Sequence, residues 1–479
     1  MARTRAIPAA AKSADGAENG ERHGWVRWIE GAARRPYRTA TALCIVVFIL
    51  YIPTLRVPHS YGLLVGSDGI SYFANLRSIV FDHDLNLSDE YLRLTGTTPV
   101  GAETAKFPIG VPIMWLPFYL AVHLVMLTLH AAGRPVAADG YGAPYQFGAC
   151  VGTMMYGYLA LLLMIRLCRE FFDRTSSLIA AGLIFFGWNV VYYDLFENSM
   201  SHMMSMFIVS AMLVWWRCGP RERTALYWGG IGVCIGVAAM VRPQDAAFGV
   251  APGLDLATSL LTAVRTNSRP ETQRLLIGGL ILGTFTLIGY LPQAFASWAT
   301  YGSPFTSGYF VKGETFGWNT PHVFDVLFSR WHGLVTWHPL ILFALAGLYV
   351  LWREHRFYAA QLSVAVALQM YIVASWHEWW QGDAFGSRML INCAPVFALG
   401  LAGLITWARR RLDWRILCTM CLLALLWNGL FIVQYRLGFV SKSYPITWQE
   451  LTVDKITMLP RIPRMLHDFI AQHQRFQLH

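Results

Sequence analysis

Long apolar runs, separated by short polar connections that are mostly basic, make up most of this chain. The first, Thr39–Leu55, follows a polar segment ending in Arg34, Arg35 and Arg38. Others cover residues 108–131, 145–166, 177–193, 202–218, 226–241, 246–264, 275–297, 333–352, 357–375, 389–407 and 414–434. A helix of about 20 apolar residues reaches across a bilayer, so the pattern predicts an all-α polytopic membrane protein. Glycines four apart (Gly148/Gly152, Gly232/Gly236, Gly279/Gly283) mark faces where such helices can approach closely. The chain has no phosphate-binding glycine motif and no long internal repeat. These absences argue against an ATP-driven pump and lower the expectation of an inverted-repeat transporter.

The arginines orient the runs. If 108–131 does not cross, the clusters Arg166–Arg174, Arg217–Arg223, Arg265–Arg274, Arg353–Arg356 and Arg409–Arg415 all fall on the side of the N-terminus. The three short opposite turns (194–201, 242–245, 376–388) then hold only Arg242 and Arg388. Cytoplasmic connections carry the excess of Lys and Arg, so this arrangement is the expected one. Pro108, Pro112 and Pro117 also suit a broken segment dipping into the outer leaflet. The expected layout has about eleven transmembrane helices, with 108–131 re-entrant or juxtamembrane. A cytoplasmic basic tail (1–38) precedes a transmembrane domain (39–435), whose first extracytoplasmic loop is 56–144. An extracytoplasmic tail (436–479) with apolar residues at helical spacing follows.

Composition sharpens this reading. Of 479 residues, 55% are hydrophobic and 14% charged, with mean hydropathy +0.41; a soluble domain carries about 25% charged residues. The deficit excludes a soluble enzyme and a disordered chain. The net charge of +10 is an orientation code rather than a nucleic-acid footprint. All eight cysteines lie in or at the ends of apolar runs, so no disulfide framework is implied. Cys418 and Cys421 share one unbroken apolar run and read as small core residues.

Scarce ionisable groups therefore carry the chemistry, and they gather on the outer side. Ser67-Asp68-Gly69-Ile70-Ser71-Tyr72 and Asp82-His83-Asp84 follow the first run, and Lys106-Phe107-Pro108 precedes the second. One turn spans Asp194 to His202 and contains Glu197; another is Arg242-Pro243-Gln244-Asp245. The last runs from Trp376 through Trp380 and Asp383 to Gly386-Ser387-Arg388. Simpler roles exist for each. Asp68 can open a helix, Lys106 can snorkel, and the tryptophans can form an interfacial belt. His377-Glu378 is not a zinc-protease motif, because the second histidine position is Gln381.

In order, from about residue 40 to 410, these pieces resemble the GT-C superfamily of membrane glycosyltransferases. The nearest in pattern are the protein O-mannosyltransferases and the lipid A aminoarabinose transferase. Asp68 with Tyr72 matches the Asp-then-aromatic element after the first span. Lys106-Phe107-Pro108 stands for a Lys-Pro-Pro-like element, with Phe107 in place of the first proline. Glu197 occupies a slot that is commonly Asp, and Gly386-Ser387-Arg388 matches a late Gly-x-Arg.

The resemblance implies sugar transfer from a polyprenyl-phosphate donor to a lipid, glycan or protein hydroxyl, outside the cytoplasm, in the plasma (inner) membrane. Asp68 is the expected general base, with Glu197 the second catalytic candidate. Tyr72, Lys106, His202, Arg242, Arg388 and Trp380 are the expected substrate-binding residues. Direct displacement with one base would invert the anomeric centre. No cofactor is required by any ligand set; a divalent cation would find ligands at Asp82, His83 and Asp84. The alternative is a transporter or flippase of a lipid-linked sugar. It needs charge deep within the spans, for which Asp255 is the candidate.

Overall fold

The structure, a computed structural model, describes residues 24–55, 59–102, 105–220 and 222–475. Residues 1–23 of the expected tail (1–38) lie outside the described residues. The helices are α1 (Gly24–Arg34), α2 (Pro36–Thr54), α3 (Asp68–Arg77), α4 (Ser88–Thr95), α5 (Gly110–Ala131), α6 (Ala143–Cys168), α7 (Arg174–Phe186), α8 (Val190–Leu195) and α9 (His202–Cys218). They continue with α10 (Ala225–Val241), α11 (Val250–Arg265), α12 (Arg269–Tyr301), α13 (Gly308–Val311), α14 (Val323–Phe328), α15 (Leu334–Trp337), α16 (Leu340–Ser375), α17 (Ala394–Arg409) and α18 (Trp414–Arg436). The tail adds α19 (Trp448–Leu451), α20 (Asp454–Thr457) and α21 (Ile462–Arg475).

The chain is an all-helical, multi-pass integral membrane protein, with no strand among the described residues. Eight helical segments are long and apolar enough to cross a membrane, and α7 and α10 are shorter apolar helices. α16 bends at His355 (φ −138°, ψ 57°), so the two expected runs 333–352 and 357–375 form two arms of one helical element. The lipid-facing character is visible in the large exposed side chains of α2, α12 and α18, among them Ile49, Leu280 and Leu423. α17 is instead enclosed, with Val396, Phe397 and Leu399 fully buried, and α16, α7, α6, α9 and α18 pack against it.

Basic ends and acidic caps tie one end of the bundle together. Asp173 caps α7, accepting from the Thr175 and Ser176 amides at 3.0 and 3.1 Å, and Arg409 at the end of α17 reaches it at 2.5 Å. Arg169 at the end of α6 lies over the Tyr37 ring at the start of α2, at 5.4 Å. Asp255 belongs here too: Arg223 contacts it at 2.8 Å and the Trp216 indole donates to it at 3.3 Å.

Two expected elements take different forms. Residues 108–131 are not broken by their prolines. α5 is one continuous helix, with Pro112 in its first turn, where amides lack helical partners anyway, and Pro117 inside it. α5 runs antiparallel along the first half of α6: the Trp115 indole donates to Thr153 Oγ1 (2.8 Å), and His123 Nδ1 meets Tyr145 Oη (2.8 Å). The 177–193 run is interrupted after Phe186 and resumes as α8. Asn428 of α18 makes the interruption tolerable by donating to Phe186 O (2.8 Å) and Trp188 O (2.7 Å). Carbonyls at a buried helix end otherwise go unpaired. The glycine pairing shows most plainly at Gly236, where an added Cβ would stand 2.2 Å from Thr286 O and 2.8 Å from Gly289; α10 and α12 touch through backbone.

Candidate active site

α3 starts on a constrained turn. Ser67, immediately before it, has φ +50°, a left-handed conformation that costs a non-glycine residue about 1–3 kcal/mol. Ser199 holds the turn: its hydroxyl accepts from Gly66 N at 2.9 Å and sits 3.2 Å from Gly66 O. The segment just after Glu197 is thereby laced to the residues that present Asp68. Tyr72, one turn on, is buried. Burial and then the Asp68 charge push its phenol up to about 12, so it stays protonated and neutral. Its ring packs against Phe107 (5.0 Å) and Trp115 (6.2 Å).

A second constrained loop presents Arg388. Gln381 is buried with φ +71°. Its amide donates to Ser387 Oγ (2.8 Å) and accepts from Met389 N (2.7 Å), tying the two ends of the loop together. Gly386 has φ +65°, and a Cβ there would lie 2.5 Å from the His338 ring, so only glycine fits. Phe385 N donates to Tyr193 Oη at 2.9 Å. The result places Arg388 Nη1 3.9 Å from Asp68 Oδ2, joining positions 320 residues apart in the chain.

Ser67 and Arg388 face a cavity of about 960 Å³, together with His59, Tyr192, Tyr193, Glu197, Asp383, Tyr435, Arg436 and Lys442. Glu197 therefore shares the cavity with Arg388. His202 and Arg242 lie behind this wall: both are buried, with Arg242 Nη1 2.8 Å from His202 Nδ1. His202 stacks edge-on to Tyr193 at 4.7 Å. Asp245, fully buried, accepts from Ser205 Oγ (2.5 Å) and Asn392 (2.7 Å), fixing the turn that carries Arg242. These two residues support the cavity wall and do not line it.

Lys106 and Trp380 are not brought to the cavity. Lys106 Nζ makes a 2.6 Å ion pair with Glu314. Glu314 is buried and also accepts from the Trp376 indole at 2.5 Å and meets His377 Nδ1 at 3.3 Å. It is a clasp between three loops, and it went unnoticed in the sequence. The signal was slight: one acid in an aromatic loop, Glu314-Thr315-Phe316, after Gly313. Trp380 stacks on Trp331 at 4.6 Å, and its carbonyl meets His332 Nδ1 at 2.6 Å.

The Asp82, His83 and Asp84 set does not converge. Asp84 instead accepts from Ser78 Oγ (2.7 Å) and Asn86 N (3.1 Å). The carboxylates that do converge are Asp82, Asp89 and Glu90. Arg77 stands among them, contacting Asp82, Glu90 at 3.1 Å and Asp89 at 3.9 Å. Burial, then the Asp82 hydrogen bond, raises the Glu90 carboxyl. A guanidinium thus already holds the position a cation would take, and these residues do not fit a resident metal.

No protein-family model and no curated protein matches the chain. Similar solved structures include the archaeal oligosaccharyltransferase AglB from Archaeoglobus fulgidus, in complex with an inhibitory peptide and a dolichol-phosphate. Its TM-score is 0.45 at 13% identity, over 91% of this chain and 56% of that one. The Archaeoglobus fulgidus oligosaccharyltransferase in complex with Zn and sulfate gives 0.49 at 16%, over 85% and 54%. ArnT from Cupriavidus metallidurans, bound to undecaprenyl phosphate, gives 0.48 at 14%, over 95% and 75%. The chain thus spans about half the length of the oligosaccharyltransferases and three quarters of ArnT.

Proposed function

We propose that this chain is a membrane glycosyltransferase that moves a sugar from a polyprenyl-phosphate donor to an acceptor hydroxyl on the extracytoplasmic side, in a plasma (inner) membrane. The observation that carries the reading is the Asp68–Arg388 pair, 3.9 Å apart, beside a cavity large enough for a sugar and its phosphate. Both partners are presented from constrained loops, as pre-organised chemistry requires.

At 3.9 Å the pair is an ion pair rather than a direct hydrogen bond, so Arg388 retains donors for a phosphate and Asp68 retains lone pairs for a proton. In the step proposed, the acceptor oxygen forms a bond to the anomeric carbon while the bond from that carbon to the phosphate oxygen breaks. The hydroxyl proton passes to Asp68, and the phosphate leaves with the electron pair. Arg388 binds the charge that develops on the leaving group, and back-side attack inverts the anomeric centre. Glu197 faces the same cavity and orients the acceptor. No step calls for a metal.

The test is transfer by the purified full-length chain from a panel of polyprenyl-phosphate sugars, with wild type beside Asp68→Asn. General-base loss costs about 10²–10⁴-fold, with donor binding retained. Unchanged transfer by the variant would remove Asp68 from its role. Movement of the lipid-linked sugar across vesicles without transfer would replace the enzyme reading by the transporter. No observation favours that alternative, since Asp255, its candidate charge, is paired with Arg223.

A further inference from the structure

The step proposed above calls on Asp68, Glu197 and Arg388 and leaves the aromatic wall of the cavity unused. That wall is built from Tyr192, Tyr193, Phe385 and Tyr435. Tyr193 is the member whose oxygen is fixed as well as its ring. The ring is buried and lies edge-on to His202 at 4.7 Å and to Tyr192 at 5.2 Å. His202 is itself held, because Arg242 Nη1 stands 2.8 Å from its Nδ1. A guanidinium only donates, so Nδ1 accepts and the imidazole is neutral. The Tyr193 oxygen accepts from Phe385 N at 2.9 Å.

A phenol has one proton to donate and lone pairs with which to accept. The Phe385 amide engages the lone-pair side, so the O–H bond turns away from it. Among the described residues the hydroxyl donates to no acceptor. The proton of Tyr193 is therefore offered to whatever enters the cavity. Ionised carboxylates only accept, so Asp68, Glu197 and Asp383 suit an acceptor hydroxyl. A leaving phosphate needs donors instead, and needs them more as charge builds on the released oxygen. Phe385 stands three residues before Arg388 on the same constrained loop. The amide that fixes the Tyr193 oxygen and the guanidinium thus belong to one piece of structure. A phenol of ordinary pKa, about 10, keeps its proton at neutral pH.

We infer that Tyr193 is a further catalytic residue of this site: its hydroxyl donates a hydrogen bond to the phosphate oxygen that leaves the anomeric carbon, alongside Arg388. The inference rests on the transferase reading and adds a neutral donor to it. The proton stays on the phenol throughout. The contact strengthens as the phosphate oxygen gains charge, so it favours the transition state and the released phosphate over the bound donor.

The test uses the purified full-length chain in nanodiscs of zwitterionic lipid. Transfer is measured from the panel of polyprenyl-phosphate sugars, and binding is titrated with undecaprenyl phosphate, the class of product the step releases. Tyr193→Phe should lower kcat by about 10²-fold, the cost of one such donor, with KM for the donor changed less than about threefold. It should weaken undecaprenyl phosphate binding by about tenfold. Equal kcat and equal phosphate binding in the variant and wild type would overturn the inference. Tyr193→Phe also removes the acceptor of Phe385 N, so a second variant separates donation from loop support. A trifluorinated tyrosine at position 193 nearly preserves the ring and lowers the phenol pKa. Donation predicts a new alkaline loss of kcat, as pH rises through that lowered value, which wild type lacks. Loop support predicts none, since a phenolate accepts from an amide more strongly than a phenol does; a profile as flat as wild type also overturns the inference. Wild type that transfers no sugar, yet binds undecaprenyl phosphate about tenfold more tightly than Tyr193→Phe, would count against the transferase reading and keep the contact between hydroxyl and phosphate.

Discussion

Lys455 gives the clearest quantitative test of how the C-terminal segment is held. It is 2% exposed, its ammonium lies 3.2 Å from the Phe431 ring centroid and 4.9 Å from that of Trp427, and it donates to Gln434 Oε1 at 3.2 Å. Burial pushes it from 10.5 down to about 7, and at about 1.36 kcal/mol per unit the cost of charging it approaches ~5 kcal/mol. The two ring faces offset about 2 kcal/mol of that, leaving about 3. Lys455→Met removes the cost at similar volume, and leaving Gln434 with one partner fewer gives back about 1 kcal/mol. The variant should therefore be about 2 kcal/mol more stable at pH 6.

The sign follows from proton counting. Because the folded value is depressed, the unfolded chain binds more protons between pH 7 and 10.5, so wild-type stability rises with pH across that window. Below pH 7 both states are protonated and the gap is constant. Thermal unfolding of both proteins in detergent from pH 6 to 10, followed by tryptophan fluorescence, should show the variant's advantage shrinking as pH rises. Limited proteolysis after residue 441 should report the same trend locally. A variant less stable than wild type at pH 6, or a gap indifferent to pH, would refute the reasoning.

Two further substitutions probe the clasp and the helix packing. Glu314→Gln removes the charge that holds Lys106 at 2.6 Å and should lower kcat/KM for sugar transfer by about tenfold, the worth of one charge-assisted contact; initial rates equal to wild type would exclude a role for the clasp. Gly236→Ala drives a methyl to 2.2 Å from Thr286 O. It should destabilise the α10–α12 pair by about 1–3 kcal/mol, read as a lowered midpoint of thermal unfolding.

What the sequence disclosed divides along the range of the interactions. Helices lay open because apolar run length and arginine placement are local properties, and they brought Asp68 and Arg388 forward as a pair of motifs. The break between α7 and α8 was hidden, since the residue that permits it, Asn428, lies 240 positions beyond Trp188. Glu314 was hidden for the same reason: its partners Lys106 and Trp376 come from loops on either side of it, and nothing about an acid in an aromatic loop names them. Lys106 shows the converse case, a residue whose partner the motif does not name. The motif position offers a lysine as a phosphate ligand, and the structure pairs its charge with a buried carboxylate.

That Arg436 and Lys442 line the cavity was hidden for a different reason. Arg436 and Lys442 fall at the junction where a span was expected to end and a tail to begin, a region read only for its amphipathic spacing. The structure turns that junction back onto the bundle. The Gln434 amide donates to Glu450 O at 2.6 Å and accepts from Lys455, while Ile446, Leu451 and Met458 are buried. The tail is thus docked against the helix whose last turn carries Tyr435 and Arg436 into the cavity. Loosening it would move one wall of the site while leaving Asp68 and Arg388 where their own loops hold them. Tail contacts therefore bear on the cavity wall formed by Tyr435 and Arg436, while the Asp68–Arg388 pair is held independently of them.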